Sequence, residues 1–255
     1  MVTASDNYLQ TILSREAVNT GTNSPVLNVM KTLNPILQEW AGNLLNSISP
    51  SGSFAKGTPN RSGTDIDLFI SLSPNTQPTL KEIYESLFMK MKGAGYNPHR
   101  QNVSINVRVG GNDVDLVPAK QQNTGSQDHS VYRRRAATWT KTNVQTHIAY
   151  VRNAWRPDEI RVLKLWRDQK GLDFPSFYLE LATIEALAGR SRDQLSVNVL
   201  TALAYLRDRF PNARFVDPAN TNNIISDDLN ANEKATVAAA AGHAIAAPRW
   251  ADVLQ

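Results

Sequence analysis

Cysteine is absent from this 255-residue chain. Disulfides, thiolate nucleophiles and cysteine-bound zinc or iron–sulfur centres are therefore excluded. Histidine is scarce, with four residues and no partner pattern that would make a histidine-based metal site. An excess of either charge is slight too, with 27 Lys and Arg against 23 Asp and Glu. A formal net charge of +4 tolerates polyanionic ligands but is too small for a tight, sequence-independent grip on a duplex. No apolar run approaches the roughly 18 residues needed to cross a bilayer. The opening residues, MVTASDNYLQTILSREA, lack the basic start and apolar block of a secretory signal. These absences lead us to expect a cytoplasmic protein with no membrane partner. What is left has an ordinary globular balance and enough length for one large domain or two small ones.

The pattern along the chain changes character midway. Tyr8, Leu9, Ile12 and Leu13 predict a short helix. Ser24-Pro25 reads as an N-cap followed by proline at the first helical position. Val26, Met30, Leu33, Leu37, Trp40 and Leu44 then predict an amphipathic helix from 24 to about 46, long enough to span two lobes, with Pro35 as a kink. Asp65–Leu72 reads as a strand, Leu80–Met91 as a helix, and the alternation of Val103, Ile105, Val107 and Val109 as a half-buried strand. Gly110-Gly111-Asn112 turns the chain into a returning strand that Pro118 is expected to stop. From about residue 145 onward strands disappear. Helices are predicted over Ile160–Gln169, Ser176–Leu187, Leu195–Asp208 and the alanine-rich Glu233–Ala247, with Pro211–Asn223 irregular.

The residues that carry chemistry lie in the first half. Gly52-Ser53 sits in the run GSFAKGT, and Asp65-Ile66-Asp67 follows. Side chains two apart on a strand share a face, so Asp65 and Asp67 point one way and Ile66 and Leu68 the other. Asp115, on the returning strand, joins them if that strand pairs nearby. Two unit charges ~5 Å apart repel by about 3 kcal/mol at an effective dielectric of ~20. A divalent cation reverses that sign, and carboxylates together with substrate phosphates are the usual way to hold Mg²⁺. Glycine lets the backbone approach a phosphate, and a small hydroxyl beside exposed N–H groups holds its oxygens. Two solvated aspartates would explain an isolated D-x-D, but not one flanked by a Gly-Ser turn and a second acidic strand.

GSFAKGT, DIDLFI and VDLVP resemble the polymerase β-like nucleotidyltransferase superfamily. Downstream, KTNVQTHIAY, RVLKLWRDQKGL and FPSFYLELATIEAL, with weaker support from DPANTNNI, resemble the helical half shared by bacterial antiphage cyclic-oligonucleotide synthases (the CD-NTases), oligoadenylate synthetases and archaeal CCA-adding enzymes. The resemblance implies an α+β fold: a mixed-sheet nucleotidyltransferase core over 1–145, including the N-terminal helices, and a helical domain over 146–255, bilobal with a central cleft. It implies that Asp65 and Asp67 ligate two Mg²⁺ ions, with Mn²⁺ able to substitute. Asp115 would ligate the catalytic ion and help deprotonate an acceptor hydroxyl. Gly52 and Ser53 would hold the donor β- and γ-phosphates, Lys164 would reach the triphosphate, Ser176 would bond the γ-phosphate, Phe177 would stack on the donor base, and His147 would lie near the triphosphate. Many relatives carry tyrosine where this chain has Phe177.

Several of these positions have plainer readings. Taken alone, Lys164 is a surface lysine, Ser176 an N-cap, Phe177 a core residue and His147 a solvated or structural histidine at a helix start. Glu180 is expected to be structural. Arg133-Arg134-Arg135, between Tyr132 and Trp139, is the densest positive patch and suits acceptor phosphates, a nucleic-acid strand or plain solvent. Arg61 is a further candidate near substrate. The expected activity is synthesis of cyclic di- or oligonucleotide second messengers from ATP and other nucleoside triphosphates in antiphage signalling. An activating protein or nucleic acid fits as a further partner. The length leaves no residues for the extra RNA-binding domains of the CCA-adding relatives. The rivals are template-independent addition of nucleotides to RNA or to a small-molecule or protein acceptor, and a catalytically quiet nucleotide-binding module.

Overall fold

The computed structural model describes residues 3–63 and 65–255. In chain order the elements are α1 (Ala4–Arg15), α2 (Pro25–Ala41), β1 (Leu45–Pro50), α3 (Gly52–Lys56), β2 (Ile66–Leu72), α4 (Leu80–Gly93), β3 (His99–Arg100), β4 (Ile105–Val109), β5 (Asn112–Gln121), β6 (His129–Arg133), β7 (Thr138–Thr142) and α5 (Val144–Ala154). After these come α6 (Pro157–Gln169), α7 (Ser176–Ala186), α8 (Leu195–Asp208), β8 (Val216–Asp217), β9 (Asn220–Ile224), α9 (Ala231–Ala246) and α10 (Trp250–Val253).

They form two compact units. One comprises Val18–Lys56 and Thr64–Ile148; the other comprises Met1–Ala17, Gly57–Gly63 and Ala149–Gln255. The break near 148 lies close to the expected boundary at 145. The expected core of 1–145 differs in two places, because α1 and the segment after α3 belong to the helical unit. Packing is the reason: Leu9, Ile12 and Leu13 of α1 are buried with residues of α6, α7 and α8.

The first unit is a mixed seven-stranded sheet in the order β1-β2-β5-β4-β3, with β6 on β5 and β7 on β6. β2 and β5 run parallel; the other pairs are antiparallel. Alternation decides the faces. Ile66, Leu68, Ile70 and Leu72 of β2 are buried beneath Val29, Leu33 and Leu37 of α2 and Ile83, Leu87 and Met91 of α4. Each such side chain contributes roughly 1.5–3 kcal/mol by leaving water. Asp67, Phe69 and Ser71 must then occupy the opposite face. α2 starts as predicted, with Ser24 Oγ accepting from Leu27 N at 3.3 Å, and α4 carries a Thr79–Glu82 capping box.

Three expectations are corrected here. The helix predicted to reach 46 ends at Ala41, lies within the sheet unit, and gives way to β1, whose Ile48 and Ser49 pair with Ile70 and Phe69. The apolar spacing that suggested more helix is carried at Leu44 and Leu45 by a turn and the edge strand. Pro118 does not stop β5, which runs on to Gln121. On the side away from β2, β4 pairs only as far as Leu116 and β6 begins at Ala119, so Pro118 sits between two ladders where no partner needs its missing N–H. Strands also do not vanish after residue 145, because β8 and β9 form a small hairpin within the stretch expected to be irregular.

The helical unit buries Trp166, Phe174, Tyr178, Phe210 and Phe215 among leucines of α6, α7 and α8. No helix among the described residues is long and apolar enough to cross a membrane.

Candidate active site

The parallel pairing of β2 with β5 places Asp67 directly beside Asp115 in register, and both side chains leave the sheet on the face opposite α2 and α4. Asp113, two residues earlier on β5, shares that face. Asp65 precedes β2 and is exposed. Its carboxyl is pushed above the usual carboxylate range, first by partial burial and then by the negative charges of Asp115 and Asp113. Pairing thus brings Asp67 and Asp115 side by side, with Asp113 on the same strand face, while Asp65 lies outside the strand and feels the charge of Asp115 and Asp113.

Gly52 sets the other wall. The backbone there has φ +55°, and a Cβ added to it would lie 1.7 Å from Asp67 Oδ2 and 2.5 Å from its Cγ. Only glycine lets the chain run against that carboxylate. Ser51 N donates to Asp67 O at 2.8 Å, fixing the bend to β2. Ser53 follows within α3, half-buried. Gly52 and Ser53, expected in a turn ahead of a helix, instead form the first residues of the short helix α3, beside the strand that carries Asp67.

Asp115 is held by partners that the sequence reading did not find. Asn106 Nδ2 donates to Oδ1 at 2.9 Å, and Ser104 Oγ lies 3.3 Å from Oδ2. Burial pushes the Asp115 carboxyl up, while the bonds from Asn106 and Ser104 pull it back and Asp113 adds to the rise. Asn106 was detectable in principle, because the tight Gly110-Gly111 turn fixes it opposite Asp115.

These groups suit a hard divalent cation. They are oxygen donors; burial first and neighbouring acids second raise the proton affinity of Asp65 and Asp115, and Asp65 is open to solvent. Among the described residues no group of three or more acidic or imidazole side chains is placed so that it could by itself hold a metal ion. A Mg²⁺ ion bound at Asp67 and Asp115 would therefore draw its remaining ligands from water and substrate phosphates.

The remaining predicted positions lie in other surroundings. His147 is half-buried in the first turns of α5, its N–H bonded to Asn143 O at 3.2 Å. Lys164, Ser176 and Phe177 belong to the helical unit. Lys164 is no surface lysine. It is 5% exposed, with Nζ 2.6 Å from Glu180 Oε1 and 2.9 Å from Thr58 Oγ1. Glu180 is fully buried, the structural role expected of it, and Lys164 is its counter-charge. Ser176 is not an N-cap: Pro175 holds that position, and Ser176 Oγ instead accepts from Arg167 Nη1 at 2.9 Å. Arg167 was not foreseen, since only the fold brings it to Ser176. Phe177 packs partly buried against the helical core. Arg61 is exposed in the segment joined to the helical unit. Arg133–Arg135 ends β6 and opens the turn to β7. Tyr132 is core there, Trp139 is exposed, and Arg134 Nε donates to Gln101 O at 3.1 Å.

The comparisons with known proteins bear on the fold. No protein-family profile matches the chain. A cyclic AMP-AMP-AMP synthase of Escherichia coli (strain MS 115-1) is 25% identical over 162 residues, 56% of this chain and 50% of that protein, so the match spans half the relative's length. E. coli MS115-1 CdnC, solved in complex with a HORMA protein and with ATP, is 20% identical, with TM-scores of 0.78 and 0.76. The two alignments cover 99% and 97% of this chain and 98% and 96% of those chains. The CD-NTase CdnG of Bradyrhizobium diazoefficiens, in complex with GTP, aligns at TM-score 0.80 and 11% identity over 96% of this chain and 91% of that one. The chain has the fold of the polymerase β-like nucleotidyltransferases, as seen in the CD-NTase structures. The Cid1 poly(U) polymerase, as a mutant bound to MgATP, shares the fold more distantly, at TM-score 0.66 and 10% identity over 94% of this chain and 92% of that one. The CD-NTase structures thus share the fold over nearly the full length of this chain.

Proposed function

We propose that this protein is a metal-dependent nucleotidyltransferase that joins nucleoside triphosphates, ATP among them, into a cyclic di- or oligonucleotide that signals in antiphage defence. The observation that carries the proposal is the placement of Asp67 beside Asp115 in parallel register, with Gly52 pressed against the Asp67 carboxylate. The relationship to a cyclic AMP-AMP-AMP synthase supports the cyclic product.

Asp65, Asp67 and Asp115 would hold divalent ions, which when bound supply positive charge for the transferring phosphoryl group and for the departing pyrophosphate. Gly52 and Ser53 receive the donor phosphates at a bend where the backbone has no side chain in the way. Asp115 takes the proton of the acceptor hydroxyl. Much of the rate comes from holding the hydroxyl in line with the α-phosphate. An activating protein belongs to the same proposal, by analogy with the relative solved with a HORMA protein.

Purified protein incubated with all four ribonucleoside triphosphates and Mg²⁺ or Mn²⁺, with and without added RNA, tests this by mass spectrometry. A phosphatase-resistant cyclic product that forms without RNA, and that disappears with chelator or with Asp67→Ala, is expected. Label found only on the added RNA would replace the proposal with nucleotide tailing, for which the fold shared with a poly(U) polymerase is the reason to look. Undiminished turnover by Asp67→Ala would show the site to be misplaced.

A further inference from the structure

Asp115 is held by two neighbouring side chains. Asn106 stands opposite it in the β4–β5 register and donates to Oδ1 at 2.9 Å. Ser104, buried at 3% exposure, approaches Oδ2 at 3.3 Å. The Ser104 hydroxyl also lies 2.8 Å from Gln101 Oε1, and one proton cannot serve both. Turning the Gln101 amide end for end, an orientation heavy atoms do not distinguish, lets its NH₂ donate to Ser104 Oγ and frees the Ser104 proton for Asp115.

The segment that presents Ser104 is pinned from several sides. The hydroxyl of the fully buried Tyr84, from α4, lies 2.8 Å from Gln101 O and 3.0 Å from Ser104 O. Gln101 N donates to Ser104 O at 3.0 Å, closing the bend. Arg134 N donates to Asn102 O at 2.8 Å, and Arg135 N donates to Asn102 Oδ1 at 3.1 Å. The turn after β6 thus clasps the same bend.

A carboxylate offers about four lone-pair sites, and these two donors occupy one on each oxygen. One site on each oxygen is then left, on a side chain whose register neighbour is Asp67. Without the donors, a partly desolvated carboxylate among like charges lowers its energy by rotating towards solvent and away from its neighbours. We infer that Ser104 and Asn106 are positioning residues, which act through Asp115 by fixing the rotation of its carboxylate so that the free lone pairs present themselves to a divalent cation and an acceptor hydroxyl. The inference deepens the nucleotidyltransferase reading and rests on it for the reaction, but the orientation of Asp115 is measurable without turnover.

The test uses the full chain with Asn106→Ala, Ser104→Ala and Ser104→Thr. Mn²⁺ affinity is read from the free ion's paramagnetic resonance signal, and kcat and KM for nucleoside triphosphate are read separately. Loss of an outer partner of a metal ligand typically costs about 10–100-fold. Asn106→Ala is expected to lose that much in Mn²⁺ affinity and in kcat, with KM within about twofold of wild type. Ser104→Ala should lose less, and Ser104→Thr, which keeps the hydroxyl, should recover most of it. On an Asp115→Asn background the Asn106 and Ser104 changes should add nothing further. If melting shows Asn106→Ala to be unfolded, the shape-preserving Asn106→Leu replaces it. Wild-type Mn²⁺ affinity in the folded alanine variants, or effects that persist in full beside Asp115→Asn, would overturn the inference. A wild-type protein that turns over no triphosphate would overturn the reaction instead, and the Mn²⁺ measurement would still decide the role of these two residues.

Discussion

At the scale of single residues, two kinds of constraint govern this protein: close approach and buried charge. Gly52 shows the first. A methyl group at that position would overlap the Asp67 carboxylate, and the backbone is already left-handed. Gly52→Ala should therefore cost about 1–2 kcal/mol in backbone strain and push Asp67 out of place. A misplacement of about 1 Å in a reacting constellation loses on the order of 100-fold in rate. We expect kcat to fall at least that far while circular dichroism stays native. A variant with wild-type kcat would show that Asp67 is free to move without consequence. Lys164 and Glu180 show the second constraint. Removing one partner of a buried pair leaves an uncompensated charge, so Glu180→Ala should lose about 3–5 kcal/mol in urea unfolding, whereas Lys164→Met combined with Glu180→Leu should come out near neutral. Equal losses in both would mean that the pair's net attraction, rather than the stranded charge, dominates.

At the scale of elements, the second face of the sheet is where order is most conditional. His129 of β6 is buried, its ring edge-on to Phe69 at 4.9 Å, and bonded to Ser71 Oγ through Nε2 at 2.8 Å and to Gln127 O through Nδ1 at 2.9 Å. With Nδ1–H donating to the carbonyl, Nε2 accepts from Ser71, which is the arrangement of a neutral ring. Burial pushes the imidazole below its ordinary value of 6.5, against smaller pulls from Gln127 and Asp128. The unfolded chain then binds a proton that the folded chain refuses. This contribution to stability is complete above about pH 6.5 and is lost as pH falls from there towards the lower folded value. The melting temperature should decline between pH 7 and pH 5, and His129→Gln should flatten that decline. An unchanged slope would remove β6 from the acid response. Other elements were plain from the sequence. Ser24-Pro25 announced α2, and the alternation in β2 and β4 announced strands, because capping and burial of one face are local demands. β1 and the β6–β7 hairpin were not, because Leu45–Pro50 and His129–Thr142 lack clean alternation and become strands through their pairing partners.

At the scale of the whole molecule, the chain builds its helical unit from three separated segments. Arg161 of α6 donates to Pro59 O at 3.1 Å and to Leu13 O at 2.9 Å, so it ties the two early segments to the later helices. Asp6 of α1 accepts from Ser196 N at 2.8 Å. Burial alone would raise the Asp6 carboxyl, but the bonds from Ser196 and Thr3 hold it well below the usual range. A fragment beginning at Ala149 would lack the apolar cover of Leu9, Ile12 and Leu13, each roughly 1.5–3 kcal/mol of burial. It should show helical far-ultraviolet dichroism without a cooperative thermal transition, and a sharp two-state melt would contradict the assignment of α1 to this unit.

The sequence by itself determined which chemistry is available. A Gly-Ser pair ahead of an acid-x-acid run and a second acidic strand pointed to phosphate and metal chemistry, and the lack of cysteine closed off thiolate and disulfide chemistry. Those are local properties of residue type and period. Only tertiary structure decided which distant groups meet: the parallel register that sets Asp115 beside Asp67, the Asn106 and Ser104 donors behind it, and the buried partners that claim Lys164. Such meetings are fixed by strand pairing and by burial far apart in the chain, and no single segment carries that information.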